Sequence, residues 1–178
     1  MKILKIILLV IVVIIAVPLI IGLFSKKEYT VEREITINKP RQVVFGYIKL
    51  LKNQDSYSKW MKMDPNAKKT YTGTDGTVGF TSAWESDNKK VGQGTQTITS
   101  IAEGDRMDVA LHFIKPFDGK ADAYYITTDD GPNTKVKWGF HGKTPYPFNV
   151  MLLMMNMDQM IGDDLSVGLA NLKVIMEK

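Results

Sequence analysis

Apolar residues are spread along this chain in three different ways. Residues 6–24 are apolar without a break: nineteen positions, nearly all Ile, Leu and Val, carry no charge. Lys2 and Lys5 precede them, and Lys26 and Lys27 follow. At about 1.5 Å rise per residue, a helix of this length covers roughly 28 Å, close to the ~30 Å hydrocarbon thickness of a bilayer. Pro18 and Gly22 fall toward its far end, where a kink is tolerable. The pattern predicts one membrane-spanning helix. A cleaved secretory signal has a shorter apolar core and small residues before the cut, and Gly22-Leu23-Phe24-Ser25 offers no such site. The chain therefore divides into a retained anchor over residues 1–25 and a single domain over residues 26–178. Lys2 and Lys5 nearly balance Lys26, Lys27 and Arg33 across the span; the N-terminus is read as inside and the domain as extracytoplasmic.

Beyond the anchor the period changes to two. YTVEREITI (29–37) alternates Tyr29, Val31, Arg33, Ile35 and Ile37 against Thr30, Glu32, Glu34 and Thr36, which predicts a strand with one mainly apolar face. Asn38-Lys39-Pro40 ends it, with Asn38 placed to cap a short helix and Pro40 to occupy its first turn; Val43, Val44, Tyr47 and Ile48 form its apolar side. A second short helical piece covers residues 55–60. Turn-forming residues then recur near 64–66, 73–76, 86–88, 103–105 and 129–133, the spacing of a strand meander. Between the turns, Val78, Phe80, Ser82 and Trp84 share one face. Gly92, Gly94, Gln96 and Ile98 share it, as do Met107, Val109, Leu111 and Phe113, and finally Val136, Trp138 and Phe140. Asp108, His112, Lys135, Lys137 and His141 take the opposite positions, so one side of an antiparallel sheet is wet.

After Pro145 and Pro147 the period becomes helical and runs to Lys178 without another proline. Met151, Met154, Met155, Ile161, Leu165, Leu169, Leu172 and Ile175 mark a long helix whose stripe covers the inner face of the sheet. The predicted architecture is α+β: a curved antiparallel sheet of about seven strands on a long C-terminal helix, preceded by one transmembrane helix.

Charge and composition remove several function classes. Net charge is +4, and +2 without Lys2 and Lys5, with basic residues scattered among acids, so no nucleic-acid footprint exists. The absence of cysteine excludes thiol catalysis, disulfides and thiolate metal sites. Two histidines about thirty residues apart, both on the wet face, provide neither a metal-ligand spacing nor an inward general base. Gly92-x-Gly94 lies within a strand pattern without a following helix, so it is no phosphate loop; glycines there let the sheet bend. No cofactor is implied.

The order of elements matches the helix-grip fold, and the residues extend the likeness. YTVEREITINKPRQVVFGYI resembles the opening of the START-like, Bet v 1-like superfamily, also called polyketide cyclase/dehydrase and lipid-transport proteins (SRPBCC). WMKMDPNAK, VGFTSAWES, VGQGTQTIT, TKVKWGFHGKTPYPF and MDQMIGDDLSVGLANLK resemble a membrane-anchored bacterial branch of it. The resemblance spans residues 29–178 and implies a cavity between sheet and helix. From the strands its implied walls are Phe80, Trp84, Gln96, Leu111, Phe113, Tyr125, Trp138 and Phe140. From the helical segments they are Trp60, Met63, Met151, Met155 and Leu165. Such aromatic and methionine walls suit a lipid or other small apolar ligand.

Ser82 and Gln96 are the polar groups on the inward strand positions, and Asp158 lies within about one turn of the helix stripe, between Met155 and Ile161. Polar groups in an apolar cavity orient a ligand; the plainer alternatives are a Gln96 bonded to backbone or water and an Asp158 that caps or pairs at the helix surface. In a dry cavity Asp158 would have a raised pKa and could act as acid or base, the basis of a cyclase/dehydrase-like alternative. A protein-interaction or cochaperone-like module, its cavity filled by its own side chains, is the other. The stretch 150–157 is apolar on nearly every side, which fits deep core, a cavity mouth, or a surface that meets membrane or protein.

Overall fold

The computed structural model describes residues 2–178. Helix α1 (Lys2–Phe24) leads, with Gly22 as its one buried residue. Strand β1 (Glu28–Ile37) follows, then α2 (Arg41–Ile48), a 3₁₀ turn (Leu51–Asn53), α3 (Gln54–Tyr57) and α4 (Lys59–Met63). The meander comprises β2 (Lys68–Thr72), β3 (Thr81–Glu85), β4 (Gln93–Ala102), β5 (Arg106–Lys115), β6 (Gly119–Asp130) and β7 (Asn133–Lys143). A 3₁₀ segment (Phe148–Leu153) then leads to α5 (Met157–Met176).

All seven strands form one antiparallel sheet in the order β1-β7-β6-β5-β4-β3-β2. Successive strands pair through short turns, while β1 pairs across the chain with β7, from Glu28 opposite Lys143 to Ile37 opposite Thr134. Register shifts in β4 against β5, at Gln93/Gly94 and Ile98/Ser100, bend the sheet toward the helix. Val31, Ile98, Met107, Val109, Tyr125, Val136 and Trp138 point inward and are buried, meeting Leu165, Leu169 and Leu172 of α5. Helix α5 packs along β1 and β7 and against α3 and α4, so it covers one half of the inner face. The curved sheet and C-terminal helix make this the α+β helix-grip architecture.

The register also sorts the turns to two ends. Glu28 faces Lys143, Gly142 faces Ala121, Gly119 faces Phe113, Lys115 faces Gln93 and Gln93 faces Glu85. The end of the sheet that receives the chain from α1 thus also carries the β3–β4 turn (86–92), the β5–β6 turn (116–118) and the exit to the 3₁₀ segment.

Four local expectations are corrected. Pro40, not Asn38, stands at the N-cap of α2, and no side chain caps it; the Asn38 N–H instead donates to Glu177 Oε1 at 2.6 Å. Val43 is exposed, while Phe45 fills the buried position. Val78 lies outside any strand and is exposed, because Gly79 turns the chain with φ +90° and β3 starts only at Thr81. The C-terminal helix begins at Met157: the stretch after Pro147 is first a 3₁₀ turn, and the Asn156 side chain accepts from the Gln159 N–H to start α5 afresh.

Candidate functional site

The interior is organised around Trp138 at the middle of β7. Its ring stacks on Tyr125 (centroids 4.9 Å apart) and receives the edges of Tyr57 (5.9 Å) and Trp60 (6.2 Å). Gly168 of α5 allows the helix to approach the ring. The Tyr57 hydroxyl donates to Tyr125 Oη at 3.3 Å, and Gln54 Nε2 donates to the same oxygen at 3.2 Å. Burial pushes both phenols above their ordinary pKa, so both stay neutral. With Leu165 beneath, this half of the expected cavity is filled by the protein's own side chains.

The half of the inner face away from α5 is packed differently. Trp84 lies edge-on to Phe113 (6.2 Å) and donates from Nε1 to the Val91 carbonyl. Leu111 and Phe113 are only half-buried there, as are Phe140 on β7, stacked on Tyr29 of β1, and Met63 on α4 nearer α5. Ser82 and Gln96 face each other across β3 and β4 at 7 % and 5 % exposure, and neither side chain bonds another protein group. Among the described residues, only Arg41 Nε, which pairs with Asp129 at 3.5 Å, and Asn149 Oδ1 are sealed from water without a hydrogen-bond partner. The Ser82 hydroxyl and the Gln96 amide therefore adjoin space that water reaches. Buried polar groups are nearly always satisfied, so this pair requires an occupant, water or otherwise.

The remaining sequence-predicted site residues fall elsewhere. Phe80 is fully buried and stacked on Tyr71 at the β2 side, under the Lys52 ammonium. Met155 is half-buried in the break before α5, and Met151 is exposed on the 3₁₀ segment. Asp158 is also outside: its side chain is 70 % exposed. Arg33 reaches over the helix to it with a two-pronged contact, Nη1 to Oδ1 at 2.9 Å and Nη2 to Oδ2 at 3.0 Å, and Nη2 also donates to the Asp158 carbonyl. Gly162 makes this crossing possible, since a Cβ there would fall 1.9 Å from Nη2. The guanidinium hydrogen bond holds the Asp158 carboxyl below the usual carboxylate range, the reverse of the shift a dry cavity would cause. Because the folded pKa is depressed, the stabilisation is present above the ordinary carboxylate range and is lost as pH falls through the folded value. Carboxyl ¹³C titration is expected to place Asp158 below a free aspartate, and Arg33→Gln to return it to the ordinary value.

Two hollows, of about 540 Å³ and about 350 Å³, open on the outer sheet face around Asp122 and His141. Their surroundings are those of the wet face: Thr30, Arg106, Asp108 and Lys120, with Thr30 bonded to His141. Neither lies between sheet and helix. Among the described residues no group of three His, Asp or Glu side chains is placed to hold a metal ion.

Sequence reasoning missed Tyr57, Arg33 and Asn149. Tyr57 ends α3 and is separated from Trp60 on α4 by the extended Ser58, so no helical spacing announces that both meet Trp138. Arg33 had the correct inward parity but no visible partner. Asn149 is wholly buried and donates from Nδ2 to the Gly22 carbonyl (2.7 Å) and the Ser25 carbonyl (3.2 Å), contacts that no local pattern announces.

No protein-family model matches the chain, and no curated protein matches it in sequence. Solved structures do. Major latex-like protein 151 from Panax ginseng superposes with a TM-score of 0.60 at 10% identity, over 86% of this chain and 100% of that one. Ara h 8.0201 superposes with a TM-score of 0.56 at 15% identity, over 85% and 99%. Aha1 from Colwellia psychrerythraea, solved as a dimer, gives 0.55 at 14% identity, over 84% and 96%. Taken with the strand order and the helix that closes it, these likenesses give the chain the Bet v 1-like, START-like fold.

Proposed function

We propose that the chain is a membrane-tethered binder of a lipid or other small apolar molecule, held between β3–β6 and the helices. The observation that carries this is the pair Ser82 and Gln96: two polar side chains buried together, free of protein partners, beside the half-buried apolar surfaces of Leu111 and Phe113. An apolar wall with a few convergent polar groups is the usual form of a small-molecule site. The pair would bind the polar head of the ligand. Tethering is supported by α1, which is long and apolar enough to cross a membrane. Retention of α1 is supported by Asn149, whose two acceptors, Gly22 and Ser25, would go with a cleaved signal.

The cyclase/dehydrase alternative loses its named acid or base, since Asp158 is at the surface and already paired. An interaction module is favoured by one specific observation, the filling of half the interior by Tyr57, Tyr125, Trp138 and Leu165.

Titration of the full chain in lipid nanodiscs with a fluorescent fatty acid separates the two readings. Gln96→Leu keeps the volume and removes the amide, and membrane partitioning of the probe is common to both proteins. Binding to the variant is expected to be weaker on the order of tenfold, the worth of about one hydrogen bond. Its melting temperature is expected to be equal or higher, because an apolar group replaces an unpaired polar one. Equal probe binding by both proteins would leave the interaction module as the better account.

A further inference from the structure

The 3₁₀ segment Phe148–Leu153 has two opposite properties. Its Asn149 is completely buried, while Phe148, Met151, Leu153 and the following Met154 are 63%, 51%, 61% and 89% exposed. Together these make a continuous apolar surface with no protein against it, beyond what a solvated turn carries. The buried residue shows where that surface sits. Asn149 donates to the Gly22 carbonyl in the last turn of α1, where helix carbonyls lack intrahelical partners, and to the Ser25 carbonyl just beyond the helix, and Gly22 packs against Asn149 and Tyr146. The apolar segment is thus fastened to the point where the apolar helix ends.

We propose that this segment lies in the interfacial layer of the same bilayer that α1 crosses, so that the domain stands on the membrane in one fixed orientation instead of swinging on a tether. The occupant of the exposed surface is lipid. Continuity with α1 selects it, since the segment has no room to leave the membrane surface while Asn149 holds the helix end. The rest of that end of the sheet agrees. Phe117, 83% exposed, is at the tip of the β5–β6 turn, and Lys89 and Lys90 are exposed on the β3–β4 turn, joining Lys26 and Lys27. An exposed aromatic tip with lysines near it suits the interfacial layer, although Asp87 and Asp118 on the same turns offset part of the positive charge. Trp84 and Phe113 are the last inward residues before these two turns, so the half-packed side of the interior ends next to this face.

This inference rests on α1 being a retained membrane helix, and the test separates the two. The chain has no cysteine, so single cysteines label cleanly. Ile14→Cys, Met154→Cys and Gly131→Cys, the last at the opposite end of the sheet, are labelled with an environment-sensitive fluorophore in nanodiscs. Each is then exposed to a nitroxide lipid or to a water-soluble quencher. Lipid quenching at positions 14 and 154 several-fold above that at 131 is the expected result. Lipid quenching at 14 with water quenching at 154 overturns the docking and leaves the tether standing. Shielding of 154 from both quenchers means that a protein covers the segment, and also overturns it. Absence of lipid quenching at 14 removes the tether and the docking together. Asn149→Leu, which is close in size and has no donor for either carbonyl, is expected to reduce lipid quenching at 154 several-fold and leave 14 unchanged; an unchanged 154 would refute the clamp.

Discussion

Trp138→Ala is expected to cost about 3–5 kcal/mol of domain stability, the range for deleting a large aromatic side chain from a packed core. The ring is only 5% exposed and touches Tyr57, Trp60 and Tyr125 as well as the α5 backbone at Gly168, so no single neighbour can move in to refill the space. Against a total of about 5–15 kcal/mol for an ordinary domain, that is a large fraction. In the detergent-solubilised full chain, the melting temperature is expected to fall on the order of 10 °C. A fall of only a degree or two would mean that the aromatic cluster is looser than its geometry implies.

Gly94→Ala is the second large effect, and it arises from excess volume. A Cβ at Gly94 would stand 2.6 Å from the His112 carbonyl oxygen of the neighbouring strand and 2.6 Å from the Trp84 ring. The side chain could be displaced; the carbonyl belongs to the β4–β5 ladder and cannot move without breaking it. Overpacking of this kind costs about 1–3 kcal/mol. Because Trp84 and Phe113 form one wall of the proposed groove, probe binding is expected to weaken together with stability. Gln96→Leu is the contrast, since there binding and stability are expected to separate. A melt and a titration on each variant check the pair.

Which features could be read from sequence depended on how far away their causes lie. Alternation identified β1, β5 and β7, because burial of every second residue is decided within each strand; Met107, Val109, Val136 and Trp138 are buried as read. The long apolar helix α1 was legible because hydropathy alone defines it. Helical phase failed after Pro147 because Asn156 caps a new helix, and a restart resets the stripe; Met151 therefore points out to solvent and Asp158 into a surface ion pair. Of the interior region expected to be hollow, the half under α5 is occupied by the chain's own side chains. Tyr57, on a four-residue helix with no periodicity of its own, enters from the side and fills the part that α5 covers. Arg33–Asp158 and Asn149–Gly22 join residues 125 and 127 positions apart, and one sequence carries no signal for pairs so distant.

The pairing of β1 with β7 has a consequence for biosynthesis. β1 is made directly after α1, yet its one strand partner among the described residues begins at Asn133 and its helical cover at Met157. Roughly a hundred residues must leave the ribosome before the first strand can close the fold, and such non-local pairing is slow. Through that interval the apolar face of β1 is uncovered, so chaperone protection matters most for the newborn chain.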